Sequence, residues 1–337
     1  MENPSKLLNK IKKKYKNIHG IILGDNDNIL LEKYFEGSDY VTCESKYIKF
    51  DINSFDSSKH VKFNRNSLHD IRSVTKSIIS LLIGISIDKG FIESIDNKIK
   101  KYFPDHKSLF NTKFKKQINI KSLLTMTSGL AWEQSGDNMK NKDDELEMMK
   151  SKDTLKYILS KNCIISPNKK FNYNSGNAVL LGRIIEIASD INLDKFLNKY
   201  LFKPLGINHY QWYCGKDNIY WSHAGLRMRP IDMTKIGQLL LNDGMYKTNG
   251  IIEKEWIDKL QKPSQLNEEY SLLWELINFR IKGKIFKSYY AAGNGGQRIF
   301  IIPEKNLVVV FTAGNYYSQN QSNPNRILAN DILPLMA

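Results

Sequence analysis

The chain has 337 residues, of which 41% are hydrophobic and 25% charged, a balance that fits a soluble globular protein of one large domain or two interleaved ones. Its net charge of +15 rests on lysine, with only 8 arginines among 50 basic residues; arginine is the better fork for phosphates and base edges, so the excess argues for a solvated basic surface and against a nucleic-acid partner. Cys43, Cys163 and Cys214 are far apart and odd in number, and the six histidines lack ligand spacing, which argues against a disulfide framework, a metal site or a metal cofactor.

Taken in chain order, the basic stretch "KLLNKIKKKYK" reads as a helix with a solvated face. No apolar signal core precedes the first strand-like run, and no window reaches the ~18 apolar residues of a membrane span. A cytoplasmic location is therefore expected. "HGIILGD" and "NILLEKYFEG" flank an Asp/Asn turn and predict an antiparallel hairpin. Helical patterns follow over 73–89, near 120–126, and over 152–161, 177–200 and 230–243. The chain then returns to strands in "EYSLLWELINF", "KSYYAAG", "QRIFIIP" and "NLVVVFTAG", and closes with a helix near 322–334. Strands at both ends with helices between predict an α/β (α+β) fold with one antiparallel sheet built from both termini. The expected division is a sheet domain of 1–72 plus 250–337 and a mainly helical domain of 73–249, with a site at their seam.

"DIRSVTKSIISLLIGISIDKG" (70–90) turns from polar to apolar at Ser73. Val74, Ile78, Leu81, Leu82 and Ile85 keep helical spacing and anchor a buried stripe. Ser73 stands at the mouth of that helix, and Lys76, one turn on, faces it. A serine hydroxyl becomes a useful nucleophile only beside a base, and Ser–Lys is one solution. A capping serine with a surface lysine is the other reading of the same letters. Two further S-x-x-K matches, Ser86–Lys89 and Ser166–Lys169, open no apolar helix.

Downstream, Tyr173 and Ser175 sit on a Gly/Asn turn just before another apolar helix, where a loop end can present side chains and a tyrosine can share proton transfer with a lysine. Gly293, Gly295 and Gly296 precede a strand. Bare backbone there can lie against a substrate and offer an N–H to an oxyanion. A strand rather than a helix follows, which excludes a phosphate loop.

Ser73-Val74-Thr75-Lys76, Tyr173-Asn174-Ser175 and Asn294-Gly295-Gly296 occur in the order and spacing of the serine β-lactamase and penicillin-binding fold. The segments "LLTMTSGLAWE" and "HAGLRMRPIDMTKIGQLLLNDG" are similar to connecting segments of the class C β-lactamases and their esterase and amidase relatives. The resemblance runs from about residue 18 to the C-terminus. It implies that Ser73 is the acylated nucleophile, that Lys76 and Tyr173 form the general-base pair, and that the backbone N–H groups of Ser73 and Gln297 form the oxyanion hole. It also implies substrate contacts from Ser175, Asn294, Gly295 and Gly296, and no cofactor. Ser175 replaces an Asn of the lactamase pattern, and the uncharged Asn294 replaces a Lys or His that helps hold a substrate carboxylate. The Y-x-S-G and G-x-G-G-Q forms look more like the ester and amide hydrolases of the branch, among them 6-aminohexanoate-dimer hydrolase. A small ester, amide or peptide-like substrate is expected, with a β-lactamase, a D-alanyl-D-alanine peptidase or a non-catalytic binding scaffold as alternatives. Arg298 is a cation near the third motif. His223-Ala224-Gly225 matches that motif in letters but leads into a helix, so it is set aside. Specificity is expected in loops such as 131–150, and the oligomeric state is not readable.

Overall fold

Both ends of the chain meet in one sheet. In the computed structural model, which describes residues 4–39, 59–134 and 143–336, helix α1 (Pro4–Lys14) leads into the hairpin β1 (Ile18–Gly24) and β2 (Ile29–Tyr34). The Asp25 carboxylate closes its turn by accepting from the backbone N–H groups of Asp27 and Asn28 at 3.0 and 2.7 Å. Strands β3 (Glu36–Asp39) and β4 (Lys59–Lys62) pair together, and β5 (His69–Asp70) delivers the chain to α2 (Val74–Asp88). Helices α3 (Ile120–Leu124), α4 (Asp144–Lys150), α5 (Thr154–Ser160), α6 (Ser175–Ser189) and α7 (Leu193–Leu197) follow. Strands β6 (Tyr210–Trp212) and β7 (Leu226–Met228) join β5 in a small sheet. Next come α8 (Pro230–Leu241), the ribbon β8 (Met245–Tyr246) and β9 (Asn249–Gly250), and α9 (Lys254–Leu260). The chain ends with β10 (Glu275–Ile281), β11 (Lys284–Gly293), β12 (Gln297–Ile302), β13 (Leu307–Ala313) and α10 (Asn323–Ile327).

The large sheet runs β10-β11-β12-β13-β1-β2, with every neighbouring pair antiparallel. Its inner strands read as continuous apolar runs because both faces are covered. The period of two sorts their side chains cleanly. Ile22, Ile299, Ile301, Val308 and Val310 enter the core shared with α2, α6 and α8. Ile21, Phe300, Ile302, Val309 and Phe311 enter a second core closed by α1 and α10. Leu7 and Ile11 of α1 are buried in that second core, and Lys10 pairs with Asp331 at 2.6 Å. The basic helix thus spends its apolar face on the protein and keeps its lysines on the outer face. Helix α8 lies on β13, and a Cβ at Gly237 would come within 2.3 Å of Val308.

Helix α2 is buried on all sides from Val74 to Ser86, as the central helix of a layered fold must be. The helical pattern over 177–200 breaks in two, because Asp190 adopts a left-handed conformation (φ 54°) that ends α6. The closing helix is a succession of α, π and 3-10 turns over 323–335. Strand β10 begins at Glu275 rather than near residue 269, since Ser271–Trp274 fold into a tight turn with Leu273 at φ 63°. Cys43 and residues 135–142 of the expected specificity loop lie outside the described residues. Among the described residues no helix is long and apolar enough to cross a membrane.

Candidate active site

Strand β5 sets the position of Ser73. The chain leaves it through Ile71, which is fully buried, and turns at Arg72 in the left-handed region (φ 50°). Asp70 holds that turn: its carboxylate accepts from the Arg72 backbone N–H at 2.9 Å and pairs with the guanidinium at 3.2 Å. Ser73 follows as the N-cap of α2, half-buried, and its hydroxyl makes no capping bond. Lys76 donates to that hydroxyl oxygen over 3.0 Å. The capping-serine reading therefore does not describe this turn.

Lys76 is only 1% exposed. Its side-chain nitrogen also donates to the main-chain oxygen of His223 at 2.8 Å and lies 5.0 Å from the centre of the Tyr173 ring. Ser73, Lys76 and Tyr173 thus converge from α2 and from the loop that enters α6. A buried amine with its donors directed at two oxygens is satisfied without leaving the site.

Ser73 opens onto a cleft of about 340 Å³ between α2, α4 and the end of β11. Ala292, Gly293 and Asn294 line one wall, and Glu145, Leu146 and Met149 line the opposite one. Gly293 has to be glycine, since a Cβ would stand 2.3 Å from the Ile71 carbonyl oxygen; this lets β11 press against the turn that carries Ser73. Asn294 accepts from the Tyr317 backbone N–H at 3.0 Å.

The remaining third-motif residues lie elsewhere. Gly295 and Gly296 adopt φ of 87° and 102° to reverse the chain, and Gly295 bridges to Asn315. Gln297 is fully buried on β12, opposite Gly293, with its amide clamped to both backbone groups of Ala313. It is not among the cleft-lining residues, its side chain being turned to Ala313 on β13. Ser175 is also fully buried and donates to Glu145 at 2.8 Å. Arg298 does line the cleft, but its guanidinium donates to the carbonyls of Gly293 and Gln297, each at 2.8 Å.

Sequence reasoning set His223 aside and passed over Gln134 and Glu145. Gln134 donates to Glu145 at 2.9 Å and to Ser175 at 3.0 Å, and accepts from the indole of Trp132 at 3.0 Å. The His223 ring stands 3.5 Å from Glu145. Burial, with Lys76 and Arg72 adding to it, holds this imidazole well below its ordinary pKa. It is neutral in the folded protein, so its approach to Glu145 is a polar contact rather than an ion pair. The bare letters His223-Ala224-Gly225 were the signal that could have found it: Ala224 lines the cleft and the His223 carbonyl holds Lys76.

Comparison with known proteins bears on the family and the fold. A "Beta-lactamase-like protein 2" of Dictyostelium discoideum is 27% identical over 192 residues, covering 54% of this chain and 34% of its own length. The chain therefore matches only about a third of that curated relative. Among solved structures, a Bacillus anthracis protein provisionally described as a 6-aminohexanoate-dimer hydrolase superposes with a TM-score of 0.75 at 16% identity, covering 99% of this chain and 82% of that one. Simvastatin synthase (LovD) from Aspergillus terreus superposes at 0.71 with 14% identity, covering 98% of both chains. Those two likenesses bear on the fold. The profile of the Beta-lactamase family matches residues 25–331, nearly the whole chain, and the protein belongs to that family.

Proposed function

We propose that the protein is a serine hydrolase of small ester or amide substrates, working through a covalent acyl-enzyme on Ser73. The observation that carries this reading is the buried Lys76 amine, 3.0 Å from a Ser73 hydroxyl that serves no cap. Ser73 Oγ attacks the carbonyl carbon, and its proton passes through Lys76 and Tyr173 to the leaving alcohol or amine. Water then attacks the acyl-enzyme, returns a proton to Ser73 and releases the acid. The oxyanion is stabilised by backbone N–H groups. One is that of Ser73; we assign the second to the end of β11 at Gly293–Asn294, which lines the cleft where Gln297 does not.

An uncharged acyl group suits the cleft better than a β-lactam or a peptide C-terminus, both of which bring a carboxylate. The two arginines on its wall are already engaged, Arg72 by Asp70 and Arg298 by main-chain carbonyls. Intact-mass analysis after reaction with a fluorophosphonate tests the reading. Labelling of the wild type with none of Ser73→Ala supports it, and equal labelling of both overturns it. Turnover of p-nitrophenyl esters without trapping of labelled penicillin separates the hydrolase from the β-lactamase and peptidase alternatives. Absence of all labelling supports the scaffold alternative.

A further inference from the structure

A second cavity of about 280 Å³ is lined by residues that flank Met126 and precede Leu273, just under the usual size of ligand pockets. Its apolar lining comes from Ile95, Leu266 and Leu272, and Lys121, Lys259 and Lys262 are also among its lining residues. Lys259 is paired with Glu255 at 2.8 Å. Lys121 and Lys262 have no ion pair among the described residues, so the rim keeps a net positive charge. Its hydroxyls are spent internally: Thr125 bonds Thr127 at 2.8 Å, and Ser271 donates to the Lys259 carbonyl at 2.9 Å. Two exposed lysines without an ion pair thus remain, beside apolar side chains, to meet a ligand.

The wall shared with the active site has a particular construction. Met126, between the pocket residues Thr125 and Thr127, has φ 57°, and Leu273, after Leu272, has φ 63°. Each is a bulky residue in the left-handed region, a conformation that persists only where its surroundings impose it. Met126 accepts at its carbonyl from Asn172 (2.8 Å) and at its sulfur from Asn174 (3.4 Å), the residues on either side of Tyr173. The Leu273 carbonyl accepts from Ser77, the residue after Lys76 on α2, at 2.8 Å. The Leu273 N–H donates to the Leu124 carbonyl at 3.0 Å, tying the two halves of the wall together.

We infer that this cavity is a second ligand site for a small amphipathic carboxylate, and that its occupancy alters the reactivity of Ser73. The carboxylate meets the lysine rim and the hydrocarbon covers the apolar floor, a charge complementarity that the arginine-engaged catalytic cleft does not offer. The ligand touches the Thr125–Thr127 and Ser271–Leu272 backbones, whose intervening or following residues hold the Tyr173 loop and α2. The binding half of the inference is independent of the hydrolase reading; the reactivity half rests on it.

Isothermal titration with sodium octanoate at low ionic strength tests the site. Binding is expected to weaken by about tenfold or more in the double variant K121E/K262E, the loss of roughly one hydrogen-bonded charge pair, and to weaken as salt rises. It should persist in A292W, which plugs the catalytic cleft. Both lysines are exposed, and thermal unfolding checks that the double variant is folded. Saturating octanoate should change the rate at which a fluorophosphonate labels wild-type Ser73, and leave that rate unaltered in K121E/K262E. Octanoate binding that ignores the two lysines, or that vanishes in A292W, overturns the site. An unchanged labelling rate at saturation overturns its link to Ser73. If Ser73 is never labelled, the hydrolase reading fails, while the titration still decides the site.

Discussion

The Lys76 amine is shared between the Ser73 hydroxyl at 3.0 Å and the main-chain oxygen of His223 at 2.8 Å. One donor thus points at the proposed nucleophile and another at a fixed backbone acceptor. That second bond positions a flexible four-carbon side chain against a helix it already belongs to. On this geometry, Lys76→Ala should lower ester hydrolysis by about 10²–10⁴-fold, the usual range for a positioned proton-transfer group. Steady-state rates on a folded variant, checked by circular dichroism, measure it. A loss below tenfold would assign the proton transfer to another group.

Ser175 separates a substrate contact from a supporting one. Its hydroxyl is buried and donates to Glu145 at 2.8 Å. Ser175→Ala should therefore cost about 1 kcal/mol of stability, a typical net value for one hydrogen bond, while KM changes little. Urea denaturation and Michaelis kinetics read the two separately. A large rise in KM with unchanged stability would restore Ser175 as a substrate ligand.

Acid should weaken the fold through its buried histidines, His223 and the neighbouring pair His19 and His69. His19 stacks on Phe63 with ring centres 3.8 Å apart, and His69 lies 5.4 Å from His19. Burial lowers His19 to about 2, with His69 adding to the effect, and burial lowers His69 to about 3. Both values fall below the unfolded value of about 6.5. Below that pH the unfolded chain binds the protons and the folded chain does not, so stability rises with pH in this window. The contribution is complete above pH ~6.5 and is lost as pH falls toward the folded values, by about 1.4 kcal/mol per unit per histidine. Urea midpoints at pH 7, 6, 5 and 4 should fall progressively, and His69→Phe should flatten the slope. A midpoint independent of pH across that range would refute the assignment.

Gly84 sits on α2 against the indole of Trp256, where a Cβ would come within 2.6 Å of ring carbon. Gly→Ala in a helix ordinarily gains about 1 kcal/mol. Here the ring is buried at 4% exposure and cannot swing aside, and overpacking costs about 1–3 kcal/mol. The clash wins, so Gly84→Ala should lower the melting temperature; differential scanning calorimetry decides. A raised melting temperature would mean that Trp256 has room to move.

Much of this protein was legible in the chain. Short apolar runs bounded by turn residues marked the sheet strands from both termini, and the stripe behind Ser73 marked α2, because burial leaves its trace in the letters. Ser73, Lys76 and Tyr173 could be named from local spacing and order. What tertiary structure alone decided was which backbone meets them. The clamp of Gln297 on Ala313, the contact of Gly293 with Ile71, and the place of the His223 carbonyl on Lys76 depend on contacts between segments distant in sequence. The same holds for Glu145, whose partners Ser175, Gln134 and His223 come from three separate stretches. Periodicity reports which side of an element is buried, while the partner across the gap is chosen by packing, and no single stretch of sequence records that choice.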